Sequence, residues 1–179
     1  MNIPSRKDCM DLLMHDFPPQ NIIEHSLVVN RISVFIAKKL AENGFEINVP
    51  LVDAGSLLHD VKKWHNIKHD EKANHGEEGK KFLLKNYPEV AQIVKKHMLY
   101  EIYDPGLSSW EEKIVFYADK IVNNDKIVTL KERFIYLNSR YPPKDEELRK
   151  KIFELCKELE DEICKAIGMT YSEMIGSIG

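Results

Sequence analysis

Apolar residues recur at intervals of three and four along most of this chain. Ile22, Ile23, Leu27, Val28, Ile32, Phe35, Ile36 and Leu40 keep that spacing and predict one long amphipathic helix, ended by Asn43-Gly44. A shorter helix precedes it and stops at Phe17-Pro18-Pro19. Val49 to Val61 predicts the next helix, with Pro50 where a first turn tolerates it. Lys62 to Asn74 is polar and reads as a loop. Helices follow from about Gly76 to Tyr87 and from Pro88 to about Leu99, then a loop from Tyr100 to Gly106. Ser109-Trp110-Glu111-Glu112 has capping-box spacing and opens a helix bearing Ile114, Val115, Ala118, Ile121 and Val122. Thr129 to Arg140 reads as helical until Pro142-Pro143 stops it. Lys144 to Ile167 is a charged amphipathic helix closed by Gly168, and Thr170-x-x-Glu173 caps a last short one. Ile121-Val122 and Ile127-Val128 are β-branched but too short to require a sheet. The expectation is an all-α bundle over residues 1–141, with a C-terminal helical extension over residues 142–179 packed on the same domain.

Composition narrows the function classes more than the fold. Over 179 residues the chain is 43% hydrophobic and 31% charged, ordinary for a globular domain. A net charge of −3 gives no reason to expect nucleic acid as a partner. Small anions stay open, because local positive charge or a metal can bind them. No apolar run is long enough to span a bilayer, so no membrane partner is expected. Arg6, Lys7, Asp8 and Asp11 interrupt the start of the chain where a signal peptide would be apolar. Cys9, Cys156 and Cys164 have no metal-type spacing and read as reduced thiols, which points to the cytoplasm. Oligomeric state is not legible, and a homodimer is allowed.

The chemistry gathers around His59-Asp60, an imidazole and a carboxylate side by side at the end of an apolar run. Both are ligand types for first-row divalent ions. His15-Asp16 spells the same dipeptide without companions and reads as structural. His59-Asp60 has companions: His25 on the long helix, His75 at a helix start, His97 late on a helix, and Asp119 inside an apolar helical stretch. A lone histidine on an apolar face is ordinarily a hydrogen-bonded core residue. Asp119 weighs more, since a buried carboxylate needs a cation or a metal. Lys120 is the competing partner, although adjacent helix residues do not face each other. Lys63, three residues after Asp60, is a candidate contact for an anionic ligand, and Lys120 a second. His65 and His69 are candidates for the site entrance. Tyr100, Tyr103 and Trp110 could stack on a planar ligand, and Glu24 and Glu78 lie close enough in sequence to support the histidines from behind.

Together His25, His59-Asp60 and Asp119 resemble the H…HD…D pattern of the HD superfamily of metal-dependent phosphohydrolases. The resemblance covers about Asn21 to Asn124, including Leu57-Leu58-His59-Asp60-x-x-Lys63 and Tyr117-Ala118-Asp119-Lys120-Ile121. It implies an all-α fold and a hydrolase. His75-Gly76-x-x-Gly79 and His97 are similar to the extra histidines of HDIG-type subgroups that bind two metals. By that resemblance His25, His59, Asp60 and Asp119 hold one ion, and Asp60, His75 and His97 hold another, with Asp60 bridging and Asp60 and Lys63 as the catalytic pair. Iron or manganese is expected first, then zinc or nickel. A subgroup of similar layout hydrolyses diadenosine tetraphosphate symmetrically to two ADP, so a nucleotide or related phosphate compound is the implied small-molecule substrate. The alternatives are a nucleoside monophosphatase, a phosphodiesterase, or a metal-bound nucleotide sensor with little turnover. Some positions depart from the pattern. Val61-Lys62 follows the dyad instead of Ile-Gly, and Asp119-Lys120-Ile121-Val122-Asn123 replaces the D-x-I-E-P of the tetraphosphatases. No GYP-type motif follows Asp119, which argues against a cyclic-di-GMP phosphodiesterase.

Overall fold

A computed structural model describes residues 2–69 and 74–178. Its helices run in the order α1 (Arg6–Leu13), α2 (Gln20–Glu42), α3 (Val49–Leu58), α4 (Lys63–Lys68), α5 (His75–Leu84) and α6 (Pro88–Lys96). After a 3₁₀ turn at Leu99–Ile102 come α7 (Trp110–Lys120), α8 (Leu130–Arg140), α9 (Glu146–Ile167) and α10 (Tyr171–Ile178). The class is all-α, as the helical periodicity implies.

The 23-residue α2 is the spine. Val29, Ile32, Ile36, Ala37 and Leu40 are buried along it at intervals of three and four. They meet Leu57 and Leu58 of α3, Ile114 and Phe116 of α7, and Ile152 and Ile163 of α9 in one core. Burying each such side chain contributes about 1.5–3 kcal/mol, and this apolar packing fixes the relative placement of the helices. Asn30 of α2 donates to Asp53 and to Ser56 Oγ of α3, while Arg6 of α1 reaches Asp53 and Asn30. These bonds lock the rotation of α3 about its axis, and with it the direction of His59 and Asp60.

Caps end the helices where local chemistry demands. Asn48, Asn74, Ser109, Thr129 and Asp145 each accept a backbone N–H in the first turn that follows. Gly168 closes α9 at φ 69°, a conformation that a Cβ disfavours.

Two expectations need correction. The polar segment after Val61 is not all loop, because Lys63–Lys68 forms α4; residues 70–73 of that segment lie outside the described residues. Six residues are too few for an apolar period to show. The β-branched pairs around residues 121–128 also do pair. β1 (Val122–Asn123) and β2 (Lys126–Ile127) form an antiparallel hairpin, with Val122 opposite Ile127 and Asn123 opposite Lys126. The turn is Asn124-Asp125, with Asn124 at φ 54°, a left-handed conformation that asparagine tolerates.

Candidate metal centre

Two histidines of the cluster are aimed by their own helix ends. His59 caps the C-terminus of α3, and its Nδ1 donates to the carbonyl of Ser56, three residues back, at 2.7 Å. His97 caps α6 in the same way, its Nδ1 donating to Val94 O. Those carbonyls are among the acceptors a helix end leaves orphaned. His25 lies inside α2, and its Nδ1 donates to the carbonyl of Asn124 at 2.7 Å. The hairpin thus supplies the third backbone anchor. With Nδ1 carrying the proton, each of the three rings turns an Nε2 lone pair toward a common centre. Glu24 and Glu78 take no part. They pair with Gln20 and Lys81, and backbone carbonyls do the anchoring.

His75 opens α5, which must approach α6 closely for His75 to meet His97. Gly76 and Gly79 make this approach possible. A Cβ on Gly76 would stand 2.5 Å from Met98 Cγ, and one on Gly79 would stand 2.6 Å from Val94 Cγ1. Within this packing His75 Nε2 and His97 Nε2 are 3.2 Å apart.

Asp60 is 2% exposed and divides its two oxygens. Oδ1 lies 3.1 Å from His75 Nε2 and 3.6 Å from His97 Nε2. Oδ2 lies 3.5 Å from His59 Nε2 and 3.7 Å from His25 Nε2. Asp119 Oδ1 completes the second side, 3.1 Å from His25 Nε2 and 3.8 Å from His59 Nε2. Two donor groups result, His25-His59-Asp60 and Asp60-His75-His97, sharing Asp60, with Asp119 against the first.

The donors fit divalent ions. Ligands about 2.0–2.2 Å from one ion stand roughly 3.0–3.5 Å from each other, close to the spacings here. His59 Nε2 is buried and has no hydrogen-bond partner, a costly arrangement unless a cation faces it. Mixed imidazole and carboxylate donors suit iron, manganese, zinc or nickel better than magnesium.

Lysines balance the carboxylates. Lys63 Nζ is 2.6 Å from Asp60 Oδ2, and Lys120 pairs with Asp119 Oδ2 while also donating to His97 O. The adjacent pair Asp119-Lys120 does meet, contrary to the expectation from helical geometry. Both stand at the last turn of α7, and both side chains curl toward the cavity. Burial would raise the Asp60 carboxyl, but Lys63 and His59 outweigh it and hold it well below the usual carboxylate range. Asp119 is held down likewise, burial being outweighed by Lys120 and His25. Burial lowers the His97 imidazole to about 4, which keeps it a neutral donor near neutral pH. At His59 burial opposes protonation, yet Asp60 and Asp119 outweigh it and leave the pKa raised.

The cluster forms one end of a cavity of about 340 Å³. Asp60, Lys63, His75, His97, Asp119 and Lys120 all line it. So do Arg133 of α8 and Arg149 of α9, neither of which the sequence marked as a site residue. Arg149 had a signal: it begins the buried stripe Arg149, Ile152, Cys156, Leu159, Ile163 and Ile167, where an apolar residue would be expected. Arg133 donates to Asn123 Oδ1 of the hairpin and stands 4.0 Å from Asp119 Oδ1. Tyr100 lines the cavity as well. Tyr103 lies under Lys151, and Trp110 packs edge-on against Phe45, so neither takes part. The rings of His65 and His69 tilt against each other with His65 3.6 Å from Asp16, and neither lines the cavity. His15 and Asp16 bond each other and Lys62 ties Asp16 down, a structural role as expected.

The HD domain family matches residues 22–124, more than half of the chain. The chain belongs to the HD-domain family. HD domains hold divalent metals and are in general phosphohydrolases, and the donor groups built here are of that kind. A protein of Methanocaldococcus jannaschii, described as uncharacterized, is 30% identical over 127 residues, covering 62% of this chain and 72% of that protein. No solved structure matches the chain. His25, His59, Asp60, His75, His97 and Asp119 fall within the matched span, whereas Arg133 and Arg149 lie beyond it. Among the described residues no helix is long and apolar enough to cross a membrane.

Proposed function

We propose that this HD domain is a two-metal phosphohydrolase that cleaves a phosphoester or phosphoanhydride of a nucleotide. The carrying observation is Asp60, whose two oxygens face two separate pairs of imidazole nitrogens. His25, His59, Asp60 and Asp119 would hold one ion, and Asp60, His75 and His97 the other, with iron or manganese the first ions to test and zinc or nickel next. Such ions supply activation of water near neutral pH and neutralisation of phosphoryl oxygens.

The chain's own residues do the rest. Asp60 fixes the spacing of the two donor groups, and the Ser56, Val94 and Asn124 carbonyls hold the imidazoles in register. Lys63, a third exposed at the cavity, is placed to donate to a phosphoryl oxygen. The half-exposed ring of Tyr100 offers a face for a base at the rim. A dinucleoside polyphosphate such as diadenosine tetraphosphate is the first substrate to test, ahead of nucleoside monophosphates and phosphodiesters.

The test combines metal analysis of the purified protein with a panel of nucleotides assayed in manganese or iron. About two ions per chain and turnover of at least one nucleotide are expected, with Asp60→Asn losing both. Failure to bind any divalent ion at neutral pH would refute the reading. Full metal content without turnover would make the chain a nucleotide sensor instead.

A further inference from the structure

We infer that α8 and α9 add a second anion subsite to the cavity, so that the ligand carries at least two phosphate groups. One group sits over the paired carboxylates, and the next lies against Arg149 and Arg133. The inference rests on the phosphohydrolase reading and extends it to a substrate class, oligophosphates as opposed to phosphomonoesters.

The cavity is lined by Lys63, Lys120, Arg133 and Arg149 against Asp60 and Asp119. Lys63 and Lys120 are each spoken for by one carboxylate. The two arginines are therefore in excess. Arg133 leans on Asn123 and only distantly on Asp119, and its Nε has no partner.

Arg149 is the sharper case. It is 7% exposed, yet its Nε and Nη1 make no hydrogen bond. Its Nη2 reaches Tyr100 Oη at 3.5 Å and its guanidinium lies 5.9 Å from the centre of that ring, but among the described residues no carboxylate pairs with it. A guanidinium buried on an apolar stripe with two unused donor atoms is costly unless an anion completes it. Its planar fork suits a phosphate better than a single point charge does.

Size agrees. Sites for whole small molecules begin near 300 Å³, and this cavity of about 340 Å³ continues from the donor cluster to the arginines past Met98, Leu99 and Leu137. Position agrees too, since both arginines come from helices outside the span shared with the family. The metal end is common to HD domains, while the arginine end belongs to this chain's later helices.

The experiment compares calorimetric binding of inorganic phosphate and methylenediphosphonate, whose P–C–P bridge cannot be hydrolysed. It uses manganese-treated and EDTA-treated full chain, as wild type, Arg149→Gln and Arg149→Lys. Wild type should bind the diphosphonate at least about tenfold more tightly than phosphate. Arg149→Gln should cut that preference to about threefold or less while leaving metal content and phosphate binding unchanged. Arg149→Lys, which keeps charge and loses the fork, should fall between them; it carries the test alone if the glutamine variant does not fold.

An unchanged preference in the variants overturns the subsite, as does an equal loss for both ligands. The two readings fail separately. Arg149-dependent preference with no nucleotide turnover leaves the subsite standing and removes the hydrolase. Turnover of monoesters alone, indifferent to Arg149→Gln, does the reverse.

Discussion

Gly79→Ala perturbs the centre without touching a donor. The added Cβ would stand 2.6 Å from Val94 Cγ1 and 3.5 Å from Val61 Cγ1. Carbon atoms rest about 3.5–4.0 Å apart, so α5 and α6 must separate by about 1 Å. Val94 is fully buried and β-branched, which leaves it little room to rotate away. Overpacking of this kind costs about 1–3 kcal/mol, against roughly 1 kcal/mol gained by replacing a helical glycine with alanine. The net loss should be about 1 kcal/mol, a small fall in Tm.

The effect on metal should be larger than the effect on stability. His75 lies one turn before Gly79 on α5, so the same shift opens the 3.2 Å gap between His75 Nε2 and His97 Nε2 to about 4 Å. Two bonds of about 2.1 Å span that distance only when nearly collinear with the ion. Metal content, read by mass spectrometry after dialysis, should fall from about two ions per chain toward one. Trimming the obstacle in Gly79→Ala/Val94→Ala should restore the second ion even though Val94→Ala itself costs stability. A single Gly79→Ala variant with full metal content and unchanged Tm would refute the close-approach argument.

Further outcomes follow from the same geometry. His97→Ala should lower metal content from about two to about one per chain, and unchanged stoichiometry would count against the shared Asp60. Asn124→Val puts a β-branched residue at φ 54°; it should cost about 1–2 kcal/mol and weaken metal binding about 10–100-fold by releasing His25, measured by competition with a chelator. Lys63→Met should lower kcat on the preferred nucleotide about 100-fold with metal content intact, and a wild-type rate would remove Lys63 from the reaction. In EDTA-treated protein His97 titrates at about 4 when folded and near 6.5 when unfolded. The unfolded chain therefore binds the proton first as pH falls, and stability should drop between about 6.5 and 4 by up to about 3 kcal/mol. Urea denaturation should show that loss in wild type and a smaller one in His97→Gln.

The sequence by itself determined the longer helices and pointed to the candidate donors. Spacings of three and four residues define α2 and α9 because a buried helix face repeats every 3.6 residues. Gly168 and the cap at Thr129 mark helix ends through backbone chemistry that operates within a few residues. The six candidate donors were legible because Asp119 in an apolar stretch calls for a partner, and because their order resembles a family pattern. Short elements were not legible. α4 and the β1–β2 hairpin have too few residues to show a period, yet the hairpin carbonyl of Asn124 is what aims His25.

Tertiary structure decided how the two candidate donor groups meet around Asp60. Asp60 faces two imidazole pairs because Gly79 of α5 packs on Val94 of α6 and Gly76 on Met98 beyond it, while α2 and α7 close from the other side. It also brought Arg149, 89 positions after Asp60, into the same cavity. A local pattern records what each residue needs from its helix; which distant charge will face it depends on how the apolar faces pack.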